Sequence, residues 1–208
     1  MHTFETIVKD RRSANKFKTD IEMSKQDFED IFSLTKYAPS AFNLQHTRYI
    51  AITDREKLDQ IYEAANKQYK VKTASAAILV LGDTQAHKQA ASIYEGMLHL
   101  GIWTKQEYDM NVQNTTQFYE QRGETFQRED AIRNASLSAM QLMLIAKDKG
   151  WDTCPMIGFD PELVCSILNV PDTHVPVMLI TIGKEDTTSR RLRGYRKPVG
   201  EYVSYNAF

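Results

Sequence analysis

The 208-residue chain has almost no net charge: 26 Lys and Arg stand against 27 Asp and Glu, for a formal net charge of -1. Whole-surface attraction to nucleic acid is therefore not expected, and any anion site must be built locally. No apolar run approaches the length of a membrane span. The opening "MHTFETIVKD" lacks the long apolar core of a signal peptide, so the cytoplasm is the expected location. There are two cysteines, Cys154 and Cys165, expected as reduced, buried thiols rather than a disulfide. Cys154 has no evident partner base, and an inert thiol is the expectation. The chain contains no G-x-G-x-x-G after a strand, no G-x-x-x-x-G-K-[ST] and no G-x-S-x-G. Histidines at positions 2, 46, 87, 99 and 174 form no H-x-x-x-H set, and no C-x-x-C is present. A metal site is not expected.

What is present is a chain of ordinary globular composition, 42% hydrophobic and 25% charged, long enough for one domain with a core. A short helix is predicted from Thr3 to about Asp10. A second starts at Ser24, with Asp27 completing a capping box and Phe28, Ile31, Phe32 and Thr35 on one face. "APS" at 38–40 stops it. "RYIAIT" (48–53) reads as a strand, and Asp54 caps a helix bearing Leu58, Ile61, Tyr62 and Ala65. "AAILVLGD" (76–83) and "PVMLITIGK" (176–184) read as buried strands. Residues 84–127 are more polar and mostly helical in pattern, with a break at "GETFQ". The helix that follows is apolar on nearly every side from Ala139 to Ala146, so it must be covered on both sides, a second subunit being one way to do it. Helices and strands mix without strict βαβ alternation, which favours an α+β fold around a central sheet.

Two basic clusters lie at opposite ends of the chain. "RRSANK" holds Arg11, Arg12 and Lys16, and "RRLRGYRK" holds Arg190, Arg191, Arg193, Arg196 and Lys197. Solvated surface charge is the ordinary reading of any one of them. Few acids interrupt the clusters, however, and Ser13 adds a hydroxyl suited to phosphate oxygens beside an Arg fork. A small phosphorylated ligand would satisfy both ends at once. Nucleic acid would also be attracted, but no recognition-helix or aromatic-basic ribbon pattern accompanies the charge.

Four stretches carry a resemblance, in order, from the beginning to the end of the chain. "RRSANKF" resembles the R-R-S-x-[RK]-x-[FY] opening of the nitroreductase family of FMN-dependent oxidoreductases. "APSAFNLQHTRYI" resembles that family's A-P-S-x-x-N-x-Q-P-W-x-[FY]. "CPMIGFDPELVCSILNVP" with the following "PVMLITIGK", and the closing "RKPVGEYVSYNAF", resemble its later motifs. The resemblance implies an α+β fold with a mixed, largely antiparallel sheet flanked by helices. It implies a single FMN-binding domain over 1–208, with a variable helical excursion at about 84–127. It also implies an intertwined homodimer, embraced by a C-terminal segment at about 185–208, with FMN in the interface.

On the same resemblance Arg11, Arg12 and Ser13 approach FMN, with Arg12, Arg196 and the neighbouring Lys197 near the phosphate and Asn15 at the ring edge. Pro39, Ser40 and Asn43 come from the other subunit. Gln68 and Lys70 are candidates for the ring edge or ribityl chain. Pro155, Met156, Ile157 and Gly158 pass along the ring, with backbone N–H groups of Ile157 and Gly158 near flavin N5. Ala41 and Phe42 are candidate walls of a substrate pocket, and Phe42 fits the core equally well. Asp160 and Pro161 also have a purely structural use, as N-cap and first residue of a helix. The implied activity passes a hydride from NAD(P)H through the flavin to nitroaromatics, quinones or similar acceptors, with no acid–base side chain required. The alternatives are a flavin-binding protein for storage, sensing or delivery, or a specialised member such as a dehalogenase.

Three positions depart from the family pattern. Asn15 stands where Arg or Lys is usual, His46 and Thr47 replace Pro-Trp, and Ile157 replaces Glu or Gly. The first bears on flavin potential and the others on acceptor preference. Asn15 has a plain alternative as a loop-shaping residue, with Lys16 supplying the charge.

Overall fold

A computed structural model describes residues 3–208. Four strands, β1 (Thr47–Ile52), β2 (Ala76–Asp83), β3 (Asp152–Met156) and β4 (His174–Gly183), form one sheet in the order β1-β2-β4-β3. All three strand pairs are antiparallel. The parallel component is an isolated bridge between Ser13 and Thr153 at the β3 edge. The fold is α+β, with helices on both faces.

β2 is buried along its whole length, as its unbroken apolar run requires of a central strand. Its alternate side chains serve two cores. Ala76, Ile78 and Val80 join Phe28 and Ile31 of α2 (Lys25–Thr35) and Ala135, Ala139 and Leu142 of α6 (Lys105–Asp148). Ala77, Leu79 and Leu81 join Leu58 and Ile61 of α3 (Arg55–Ala64) and Val164 of α7 (Pro161–Ile167). Sheet and helix touch closely at Gly82, where a Cβ would stand 2.9 Å from the backbone C and O of Ala131. Only glycine allows α6 to lie so near the end of β2.

The predicted caps are in place. Ser24 and Asp27 form the capping box of α2, Asp54 accepts from the Lys57 N–H, and Asp160 with Pro161 opens α7. Thr3 caps α1 (Phe4–Asp10). The first strand begins and ends one residue earlier than the sequence suggests. The break at "GETFQ" is Gly123, whose φ of +74° interrupts the 44-residue helical run of α6. Its first part packs with α5 (Ala90–His99) in a third cluster that includes Leu44, Tyr94, Trp103, Phe118 and Tyr119.

Beyond Gly123, one face of α6 lies on the sheet: Ala135, Ala139, Leu142, Met143 and Ala146 are buried. Leu137 and Met140 are 50% and 41% exposed, and Leu144 and Ile145 are half-buried. One chain therefore covers only part of this helix. Cys154 is buried, Cys165 is half-buried, and both are free thiols.

Candidate functional site at the two edges of the sheet

Residues 11–18 run beside β3 at one edge of the sheet. Ser13 bridges Thr153, the Ala14 N–H donates to the Thr153 carbonyl at 3.1 Å, and the Lys18 N–H donates to the Lys184 carbonyl at 2.9 Å. Ala14 and Phe17 turn inward against Ala74 and are completely or nearly completely buried. The intervening side chains are left outside: Ser13 and Asn15 are exposed, Arg11 and Arg12 half-buried. Lys16 forms an ion pair with Asp186 at 2.8 Å.

The second basic cluster folds onto the first. Arg193 donates to the carbonyls of Lys9 and Arg11, the latter at 3.2 Å, and Arg12 donates to the Arg191 carbonyl. Arg11 is near enough to Arg193 and Arg196 to feel their charge. Its pKa is lowered, first by burial and then by repulsion from those two guanidinium groups. Among the described residues none of Arg11, Arg12, Arg193 and Arg196 has a carboxylate within 4.0 Å. The ion pairs formed elsewhere at this edge use Lys16, Lys147 and Arg190. Cations crowded together without counter-charge make a local anion site. Arg11 groups with Arg193 and Arg196. Arg193 was visible in "RRLRGYRK", but nothing in that spacing singled it out. Lys197 is exposed.

The end of β3 lies at the same edge of the sheet. Pro155 is half-buried and Met156 buried within the strand, whereas Ile157 is 82% exposed and Gly158 is exposed. Gln68 donates to the Gly158 carbonyl at 2.6 Å, and Asn66 at 3.3 Å. Among the described residues neither the Ile157 nor the Gly158 N–H donates to another backbone group outside the strands. Lys70, on α4 (Tyr69–Thr73), is half-buried. The arrangement therefore offers cations, a hydroxyl and backbone donors along one strip.

Pro39, Ser40, Ala41, Phe42 and Asn43 lie elsewhere, in the loop that enters β1 at the opposite edge. Pro39, Phe42 and Asn43 are exposed, Ser40 and Ala41 half-buried. The loop is twisted: Phe42, Asn43 and Gln45 have φ of 53°, 54° and 51°. Left-handed conformation at non-glycine residues costs free energy and persists where surrounding contacts impose it. Phe42 also borders a hollow of about 470 Å³ lined by Ile93, Tyr94, Met97, Leu100 and Trp103. Phe42 is 46% exposed, and its ring meets Phe118 at 5.0 Å between centroids.

The last loop residue, His46, is 2% exposed, and its Nε2 lies 3.3 Å from the Tyr119 hydroxyl and 3.5 Å from Asp130 Oδ2. Burial lowers the pKa of His46, against the opposing pull of Asp130. Tyr119 is pushed up, first by burial and then by its bond to Asp130. Sequence reasoning missed Tyr119, Asp130 and Asn134. A carboxylate at 130 entering an apolar helix was the available signal.

β2 and β4 separate the two edges. Three strand spacings of about 4.8 Å put them roughly 14 Å apart. Within one chain the motifs of 11–15 and 155–158 share one edge, and those of 39–43 belong to the other. Among the described residues no group of three or more His, Cys, Asp or Glu could hold a metal ion. No described helix is long and apolar enough to cross a membrane.

The family model described as the nitroreductase family matches residues 8–184. MhqN of Bacillus subtilis, named as a candidate NAD(P)H nitroreductase, is 58% identical over 205 residues, 99% of this chain and 100% of MhqN. A crystal structure of a candidate nitroreductase from the same organism, ydfN, superposes with a TM-score of 0.95 at 58% identity, over 97% of this chain and 98% of that one. A candidate nitroreductase of Exiguobacterium sibiricum, solved in complex with FMN, superposes with a TM-score of 0.92 at 29% identity, over 99% and 98% of the two chains.

Proposed function

From the premise that the chain belongs to the nitroreductase family, we propose that it is an FMN-dependent oxidoreductase. It passes reducing equivalents from NAD(P)H to nitroaromatics, quinones or similar flat electrophiles. The observation that carries the reading is the meeting of both basic clusters at the β3 edge, where Arg11, Arg193 and Arg196 stand together without a carboxylate. That site fits a single phosphate, with the Ser13 hydroxyl beside it, so FMN is the flavin expected.

The flavin supplies the hydride chemistry at its N5; the protein binds it, orients it and leaves one face open. The arginines hold the phosphate, helped by Lys197. Gln68 and Lys70 lie along the strip that leads from there to β3. Pro155 and Met156 form its floor, and the N–H groups of Ile157 and Gly158 are free to donate toward N5. The apolar hollow bordered by Phe42 and Asn43 suits a flat acceptor.

The site is completed by a second copy, which contributes Pro39, Ser40 and Asn43, because a single chain keeps them at its other edge. The uncovered face of α6 and the exposed Leu192, Tyr195, Val199, Tyr202, Tyr205 and Phe208 of the C-terminal segment are the surfaces that such a homodimer buries. The whole chain, 1–208, serves as one such unit.

With one open face, donor and acceptor use it in turn, and steady-state kinetics are ping-pong. The test is an FMN titration followed by anaerobic reduction with NADH or NADPH and reoxidation by a quinone. Protein that stays colourless with excess FMN removes the reading. Flavin binding without quinone-dependent turnover leaves a flavin carrier instead.

A further inference from the structure

The twisted loop at the β1 edge is tied down at three points by side chains of α5 and α6. At its start, the Ala41 N–H donates to Asn134 Oδ1 at 2.8 Å. In its middle, the Tyr94 hydroxyl donates to the Phe42 carbonyl at 3.0 Å. At its end, His46 Nε2 meets the Tyr119 hydroxyl at 3.3 Å. Two of these ties converge on Asp130. Its Oδ2 accepts from Tyr119 at 2.6 Å, its Oδ1 pairs with Arg133, and its carbonyl accepts from Asn134 Nδ2 at 2.7 Å.

Asp130, Asn134 and Tyr119 are 3%, 3% and 1% exposed. A buried carboxylate is tolerated only when its oxygens are satisfied, so Tyr119 is fixed by the cost of losing it; Asn134, one turn on, is held by the Asp130 backbone carbonyl. The three left-handed residues lie between the ties. Position 46, moreover, carries His where the resembled family pattern has Pro, and it is the ring of this His that reaches Tyr119.

We propose that Tyr119, held by the buried Asp130 carboxylate, and Asn134, held by the backbone carbonyl of the same residue, are positioning residues that fix the Ala41–His46 loop in the form that meets the flavin and its acceptor. The proposal rests on the reading that this loop completes the flavin site of a second copy. Neither residue touches the reacting atoms. Each acts through the loop, Asn134 on the strand side of Ser40 and Tyr119 on the far side of Asn43.

The test uses the full-length protein with Tyr119→Phe, Asn134→Ala and the double variant, against the unaltered chain. Tyr119→Phe removes one hydroxyl and keeps the ring stacked on His87 at 5.3 Å. Amide hydrogen exchange at Asn43, Leu44 and Gln45, measured without flavin, is expected to quicken in each variant. A single hydrogen bond lost at such a tie corresponds to a rise of about three- to tenfold in the FMN dissociation constant. The acceptor KM rises by a similar factor while kcat changes by less than about twofold, the signature of lost positioning rather than lost chemistry. The double variant shows less than the product of the single effects, because both changes release one loop.

Unchanged exchange overturns the proposal. So does quickened exchange with wild-type flavin affinity and KM, because the loop is then held for some other purpose. Failure of the unaltered chain to bind FMN is a separate result, which removes the functional reading and this proposal with it. If Tyr119→Phe does not fold, Asn134→Ala carries the test, since it leaves the Tyr119–Asp130 bond intact.

Discussion

At the β3 edge, residues 11–18 are held by backbone pairing with β3 and with the chain after β4. At the β1 edge, residues 40–46 are held by side chains of α5 and α6. Backbone pairing leaves alternate side chains free, so Arg11, Ser13 and Asn15 are available to a ligand while Ala14 and Phe17 anchor the segment. Side-chain ties do the opposite. They consume Asn134, Tyr94, Tyr119 and His46, and they free the backbone to adopt a twist that a ladder would not allow. The first edge is a rack of exposed charge, and the second is a shaped loop on a buried polar support. On the proposed function each is half a site, and the two halves meet only across two copies of the chain.

The largest effect is therefore expected from keeping the two edges apart. Leu137 and Met140, exposed on the outer face of α6, become interface core in the proposed dimer. Leu137→Glu with Met140→Glu would bury two unpaired charges there, each costing several kcal/mol or more on an order-of-magnitude scale. The expected result is a folded monomer by light scattering that has lost FMN binding and quinone reduction together. A monomer that still binds FMN tightly would show that one edge suffices.

Next comes the rack itself. Hydrogen bonds to charged groups contribute about 1.5–3 kcal/mol, so Arg11→Ala is expected to weaken FMN roughly 10- to 100-fold. Arg12, which donates to the Arg191 carbonyl, is expected to matter less than about threefold, within the range of an ordinary neutral hydrogen bond. Flavin fluorescence titration of the two variants decides between them. A larger loss for Arg12→Ala would return the phosphate to the position that the motif alone suggests.

A smaller effect is expected from pressing on the support of the other edge. Gly82→Ala puts a Cβ 2.9 Å from the Ala131 backbone, next to Asp130. Overpacking of this kind costs about 1–3 kcal/mol, or roughly 2–10 °C in melting temperature for a domain of this size. If the loop depends on α6, flavin affinity falls with it. A lowered melting temperature with unaltered affinity at 25 °C would separate the support from the loop.

The two edges also differ in how far the sequence reveals them. β2 is legible to the residue because an unbroken apolar run ending in Gly-Asp has few other uses. Ser24 with Asp27, Asp54, and Asp160 with Pro161 mark helix starts because each acts within four residues of itself. The charge clusters at 11–16 and 190–197 are visible as residue types, and their meeting needed only the expectation of a shared anion. The β1 edge was not readable in this way. Local bonds such as Gln45 N–H to Ser40 Oγ at 3.0 Å turn the loop but do not show in the residue pattern, and the ties from outside it join Tyr119 to a residue 73 positions away and Asn134 to one 93 positions away. The all-round apolar character of 139–146 was plain, but which side faces its own sheet depends on the close approach at Gly82. That approach shows only when strand and helix are seen together.

The smallest expected effect concerns Asn15, where the opening motif departs from its family. A cation near N1 and O2 of the flavin favours the reduced, anionic form over the neutral oxidised one, and so raises the potential. Asn offers a hydrogen bond without charge, and the next cation along the chain is Lys16. Its ammonium is paired with Asp186 at 2.8 Å, and that pairing, with help from Thr188, holds the Asp186 carboxyl down at about 2. Asp186 therefore stays ionised through neutral pH and balances the Lys16 charge. Position 15 is exposed at the outer side of the β3-edge segment, so a longer side chain there meets no packing. Charge-assisted hydrogen bonds are about twice as strong as neutral ones, and about 30 mV of a two-electron couple corresponds to about 1.4 kcal/mol. Asn15→Lys is expected to raise the potential of bound FMN by a few tens of millivolts, roughly that scale, with FMN affinity little changed. A redox titration of both proteins against a dye of known potential reads the shift directly. An unchanged or lowered potential with FMN still bound would mean that position 15 faces away from the ring and only shapes the segment.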